Sequence, residues 1–157
     1  MNTIEKSARY DLLLKQAVAL VDGETDAIAI QANISALLKE TFGFHWVGFY
    51  RVAGSELILG PFQGPPACVH IGYGKGVCGT CWETATTQVV PDVDKFPGHI
   101  ACSSLSRSEI VVPVFDAEKK VCAVLDIDSA DLDTFDATDA VALETLCAKI
   151  SDALFRR

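Results

Sequence analysis

The sequence is short of basic residues: 13 Lys and Arg stand against 21 Asp and Glu, a formal charge of −8. That balance argues against nucleic acid as a partner, because such binding rests on Lys and Arg neutralising phosphate. It argues against anionic membrane surfaces for the same reason. No stretch approaches the roughly 20 consecutive apolar residues that a membrane span needs. The first residues, Met-Asn-Thr-Ile-Glu-Lys, are polar and lead into an amphipathic segment, so no signal peptide is read and a cytoplasmic location is expected. Repeats, low-complexity tracts and linkers are missing too, and residues 1–157 are read as one domain. Six cysteines in such a chain are not a secreted disulfide framework. Any disulfide here is expected to be transient and catalytic.

What is present reads as helices at both ends of a sheet. Tyr10, Leu13, Leu14, Ala17, Leu20 and Val21 recur at helical spacing. Ile30, Ile34, Leu37 and Leu38 do the same, between a Thr25 N-cap and a Gly43 C-cap. A third helix is expected from about Asp136, its cap, to Phe155, with Leu143, Leu146, Cys147, Ile150 and Leu154 as its stripe. These stripes suit either packing on a sheet or a homodimer face. His45 to Val52 and Glu56 to Pro61 read as strands joined by a Gly54-Ser55 turn, and Glu109 to Phe115 with Lys120 to Asp128 as a second hairpin. The middle, Phe62 to Ser108, is rich in Gly, Pro, Ser and Thr, with one short helix near Val77 to Thr84 and a weak strand at Thr87 to Val90. The class is α+β, and a long irregular middle in such a domain is usually functional.

Strand periodicity gathers acids. In Val-Cys-Ala-Val-Leu-Asp-Ile-Asp at 121–128, alternation puts Cys122, Val124, Asp126 and Asp128 on one face. A turn that sets Asp116 against Lys119 places Glu109 opposite Asp126, with side chains roughly 5 Å apart at Cβ. Glu109, Asp126 and Asp128 are therefore expected to cluster. Like charges so placed are destabilising unless a ligand cation, a divalent metal or protonation of one carboxyl compensates. Trp46, Gly48, Tyr50 and Val52 share a face of the first strand. Trp46 and Tyr50 would wall a pocket for a thioether side chain or pack a core; spacing alone does not choose.

Among the cysteines, Cys122 and Cys147 sit in a strand and on a helix stripe and read as structural. Cys68, Cys78 and Cys102 lie in loop or helix-start settings with little bulk around them, where access and a lowered pKa make thiols reactive. Cys78 and Cys81 form a C-x-x-C pair without a preceding βαβ unit. A zinc site would need two more ligands, and no second C-x-x-C or H-x₃₋₅-H pair exists; His99 with Cys102 is the remaining source, and no metal is expected.

Five motifs in series resemble the GAF-domain free methionine-(R)-sulfoxide reductases. They are Gly-Pro-Phe-Gln-Gly at 60–64, Gly-Val-Cys-Gly-Thr at 76–80, Gly-His-Ile-Ala-Cys at 98–102, Ser-Glu-Ile-Val at 108–111 and Val-Leu-Asp-Ile-Asp-Ser at 124–129. The likeness spans about residues 40–150. It implies a GAF fold: a central, mostly antiparallel sheet, helices on one face, the pocket on the other. It implies reduction of free methionine-(R)-sulfoxide with thioredoxin as electron donor and no cofactor. The family's catalytic cysteine falls on Cys102, its two other active-site cysteines on Cys68 and Cys78, its acidic pocket on Glu109, Asp126 and Asp128, and its aromatic pocket positions on Trp46 and Tyr50. Glu109 would be the proton donor; Asp126 and Asp128 would hold the substrate ammonium. Cys81 departs from the family pattern, so the first resolving thiol stays open among Cys68, Cys78 and Cys81. Two other readings are a non-catalytic GAF small-molecule sensor and a cysteine redox switch or peroxidase.

Overall fold

The computed structural model describes residues 1–100 and 105–155. Helices α1 (Thr3–Val21) and α2 (Ala27–Phe42) precede strands β1 (Trp46–Ala53), β2 (Glu56–Gln63) and β3 (His70–Gly72). Then come α3 (Gly76–Thr84), β4 (Gln88–Val90), a 3₁₀ turn at Val93–Lys95, β5 (Ser108–Phe115), β6 (Val121–Ser129) and α4 (Ala137–Phe155). The six strands form one sheet in the order β3-β2-β1-β6-β5-β4, and every pairing is antiparallel. No helix among the described residues is long and apolar enough to cross a membrane.

Period-2 alternation in the three central strands divides the interior into two cores. Val47 and Phe49, Ile110, Val112 and Val114, and Leu125 and Ile127 face α1, α2 and α4, whose stripes fill that side. Trp46, Tyr50, Val111 and Val124 face the other way and pack with Val77, Cys78 and Cys81 of α3. The stripes of α2 and α4 pack on the sheet, and α1 packs across α2 and α4.

Helix ends are set by local chemistry. Gly43 caps α2 as expected, its N–H donating to the Lys39 carbonyl at 2.8 Å. The N-cap of α2 is Asp26 rather than Thr25: the Asp26 carboxylate accepts from Ala29 N–H at 2.9 Å, while Thr25 N–H is taken by Glu24. At α4, Asp136 accepts from Thr138 N–H at 2.9 Å and Asp139 reaches back to Asp136 N–H at 2.9 Å, a reciprocal cap. Buried Asp139 also accepts from Tyr10 Oη at 2.6 Å and Lys6 Nζ at 2.7 Å, tying α1 to the start of α4.

The β5–β6 hairpin differs from its expected register. Asp116 N–H donates to the Lys120 carbonyl, not to Lys119, whose φ of 64° completes a three-residue loop. A second one-residue shift follows as a bulge, with Phe115 opposite Val121 but Val114 opposite Ala123. Either shift alone would turn the acids to the other face. Together they restore the face and move the pairing by two residues, so Glu109 lies opposite Asp128 and Val111 opposite Asp126. The bulge also turns Cys122 away from the acids, and it packs on the helix side.

Candidate active site

On the α3 side of the sheet, neighbouring strands bring the acids together. Asp128 on β6 sits between Trp46 of β1 and Glu109 of β5; Asp126 sits between Gly48 and Val111. A pocket opens over them, lined by Trp46, Tyr50, Ile71, Val77, Cys78 and His99 as well as the three acids. Glycine at 48 is required here: a Cβ would lie 2.3 Å from Phe62 Cβ and 2.7 Å from Trp46 Cη2. Gly64 gives the same freedom on the far side of the indole, where a Cβ would meet Trp46 Cδ1 at 2.6 Å. Between them Trp46 stacks on Phe62 at 5.2 Å and on Tyr50 at 6.0 Å, and its Nε1–H donates to the Pro65 carbonyl at 3.0 Å. Tyr50 Oη donates to the Cys68 carbonyl at 2.8 Å, fixing the segment that carries Cys68. The two aromatics therefore wall the pocket and pack a core at once.

Electrostatics follow from burial. Removal from water pushes the Glu109 carboxyl well above the ordinary carboxylate range, and the charges of Asp126 and Asp128 push it further. Burial also raises Asp128, with Asp126 adding to it and the hydrogen bond from Glu109 opposing. Asp126 is raised least decisively: burial is countered by hydrogen bonds from Glu109 and the Cys78 thiol, then by His99. Glu109 is the carboxyl that both neighbouring aspartates push toward its protonated form, in which its one proton is within reach of either of them. Even so, Asp126 Oδ1 is buried with no hydrogen-bond partner among the described residues. An oxygen left so is costly unless a ligand donates to it.

The thiols sort differently from their sequence settings. Cys78 is in α3 and only 4% exposed, not in an open loop setting. Burial and the acids Asp126 and Glu109 hold its thiol protonated, as a donor to Asp126. Cys81 is fully buried and pushed up to about 12 by burial and Asp126. Cys122, pushed up to about 11, and buried Cys147 lie on the helix side. Cys68, between β2 and β3, is half-buried and disulfide-bonded. Cys102 lies outside the described residues.

His99 enters the site from the motif Gly-His-Ile-Ala-Cys, with Nε2 3.9 Å from Glu109 Oε1. Its neighbour Cys102 drew attention in the sequence; the histidine had no periodicity to place it against the acids.

A stability consequence follows from Glu109. As pH rises above its ordinary value of 4.5, the unfolded chain releases the proton while the folded chain keeps it. The folded state then binds more protons, so unfolding free energy falls with pH, by up to about 1.4 kcal/mol per unit for one such group. Glu109→Gln should flatten this slope and leave the variant more stable than wild type at about pH 8. Denaturant unfolding at several pH values checks it; parallel curves for the two proteins would contradict the protonated assignment.

The GAF domain family model matches residues 24–154. The chain is similar to the free methionine-R-sulfoxide reductase of Saccharomyces cerevisiae, 42% identical over 96% of this chain and 88% of that protein. It is also similar to the free methionine-R-sulfoxide reductase of Escherichia coli, 42% identical over 96% of this chain and 92% of that one. A solved structure of the Neisseria meningitidis free methionine-R-sulfoxide reductase in complex with its substrate matches with a TM-score of 0.92 at 51% identity, over 94% of this chain and 89% of that one.

Proposed function

This chain belongs to the GAF-domain family of free methionine-R-sulfoxide reductases, and on that premise we propose that its pocket reduces free L-methionine-(R)-sulfoxide to L-methionine with thioredoxin as reductant. The observation that carries the reading is Glu109, its carboxyl pushed well above the ordinary range, beside Asp126, whose buried Oδ1 has no partner among the described residues. A sulfoxide has an electrophilic sulfur and a basic oxygen, and a free amino acid adds an ammonium. The acids supply a proton to the oxygen and a charged acceptor to the nitrogen.

In the cycle, the Cys102 thiolate attacks the sulfoxide sulfur while Glu109 protonates the oxygen. The S–O bond and the new bond between the two sulfurs then break, the hydroxyl passes to Cys102 as a sulfenic acid, and methionine leaves with the electron pair of the sulfur–sulfur bond. The Cys68 thiol then attacks the sulfenic sulfur, water departs, and the resulting disulfide is reduced by the thioredoxin dithiol. Cys68 is favoured as the resolving thiol because it is disulfide-bonded, whereas Cys78 and Cys81 are free, buried and held protonated. Cys78 instead orients Asp126. Asp126 and Asp128 receive the ammonium, and the Trp46–Tyr50 wall holds the methylthio end. The cycle balances without metal or organic cofactor. The chain acts as one domain over 1–157, in the cytoplasm, where thioredoxin is available.

Thioredoxin-coupled turnover separates this reading from its rivals. The R epimer of free methionine sulfoxide should turn over, and the S epimer and hydrogen peroxide should not. A sensor module would turn over none of them. A peroxidase would consume peroxide without needing the acids.

A further inference from the structure

Cys78 on α3, Glu109 on β5 and Asp126 on β6 bring one sulfur and two carboxylate oxygens within 4.8 Å of one another, and all three residues are buried. Asp126 is 6% exposed, and its Oδ1 is buried with no hydrogen-bond partner among the described residues. His99 lines the same pocket with Nε2 3.9 Å from Glu109 Oε1. We propose that these four side chains form a Zn²⁺ site, through which free zinc reversibly blocks the pocket.

The donor set decides the metal. A thiolate with an imidazole selects a borderline-soft ion, and two carboxylates complete four ligands; Ca²⁺ and Mg²⁺ favour oxygen alone. Tetrahedral zinc, with bonds of about 2.0–2.3 Å, places its ligands roughly 3.3–3.7 Å apart. Contraction of the trio by about 1 Å or a little more reaches that spacing. Two of the ligands sit on adjacent strands of the sheet and a third on the helix packed over them, so these three are largely preformed, and His99, outside their 4.8 Å group, must close in as the fourth. Binding releases the Cys78 and Glu109 protons to solvent, which leaves three anionic ligands around a dication. The C-x-x-C spacing points to Cys81 as the partner of Cys78; the fold supplies strand carboxylates instead. Zinc and substrate claim the same atoms. That competition rests on the reductase reading above, but the metal site itself does not.

The test uses the full chain carrying Cys68→Ser and Cys102→Ser, which removes the other thiol pair of the proposed cycle. Titration with Co²⁺ should give one ion per chain with a thiolate-to-metal charge-transfer band, displaced stoichiometrically by Zn²⁺. Adding Cys78→Ser should abolish the band and weaken Zn²⁺ binding by at least about 30-fold. Glu109→Gln should keep the band and weaken binding about tenfold or more. Excess free methionine sulfoxide should expel the ion. Absence of the band, its survival in Cys78→Ser, or unchanged Zn²⁺ affinity in Glu109→Gln would overturn the site. A band that depends on Cys78 but ignores methionine sulfoxide supports the metal site and counts against the placement of substrate.

Discussion

Cys102→Ser should abolish reduction of free methionine-(R)-sulfoxide even in excess dithiothreitol, a loss of at least about 10³-fold, because no other thiol takes over the attack. Cys78 and Cys81 are buried and held protonated, and Cys122 and Cys147 face the helices. Cys122→Ser and Cys147→Ser should therefore stay active. Cys68→Ser should fail in a different way. It should release about one methionine per chain, stall with thioredoxin and resume with a small thiol, since only resolution is lost. Methionine released in single and multiple turnovers distinguishes the two phenotypes. Full single-turnover activity in Cys102→Ser, or unimpaired thioredoxin-coupled turnover in Cys68→Ser, would reverse these assignments.

The helices and central strands were legible because their signals are long. Each of α1, α2 and α4 shows its stripe over four turns or more, and β1, β5 and β6 are largely apolar runs of eight or nine residues. Strand β3 is three residues, too short to alternate, and was not expected. The acidic cluster survived a wrong register. The count from Asp116–Lys119 missed both the extra loop residue and the bulge at Val114/Phe115, and two errors of one residue preserve the face. Cys122 lay inside the bulge and so was placed on the wrong side. Cys78 shows the other limit. Its position at a helix start was readable, but its burial depends on α3 docking against β5 and β6, which local sequence does not encode. The role of His99 is likewise tertiary.

Selectivity for the free amino acid should be large. Among the described residues, Asp126 Oδ1 is buried without a partner, and the pocket lining carries three carboxylates against one lysine and one histidine. A free methionine sulfoxide offers an ammonium there; an N-acetylated one offers a neutral amide. Losing a charge-assisted hydrogen bond while a buried carboxylate stays unpaired costs about 2–5 kcal/mol, or roughly 30-fold to several thousand-fold in kcat/KM. Asp126→Asn and Asp128→Asn should mainly raise KM, and Glu109→Gln should lower kcat, because it removes the proton donor. The measurement that tests the account most directly is kcat/KM of wild type on free and on N-acetylated methionine-(R)-sulfoxide. The account predicts a loss of at least about 30-fold on the acetylated compound. Equal values on the two would contradict it, because carboxylates that read an ammonium cannot treat both alike.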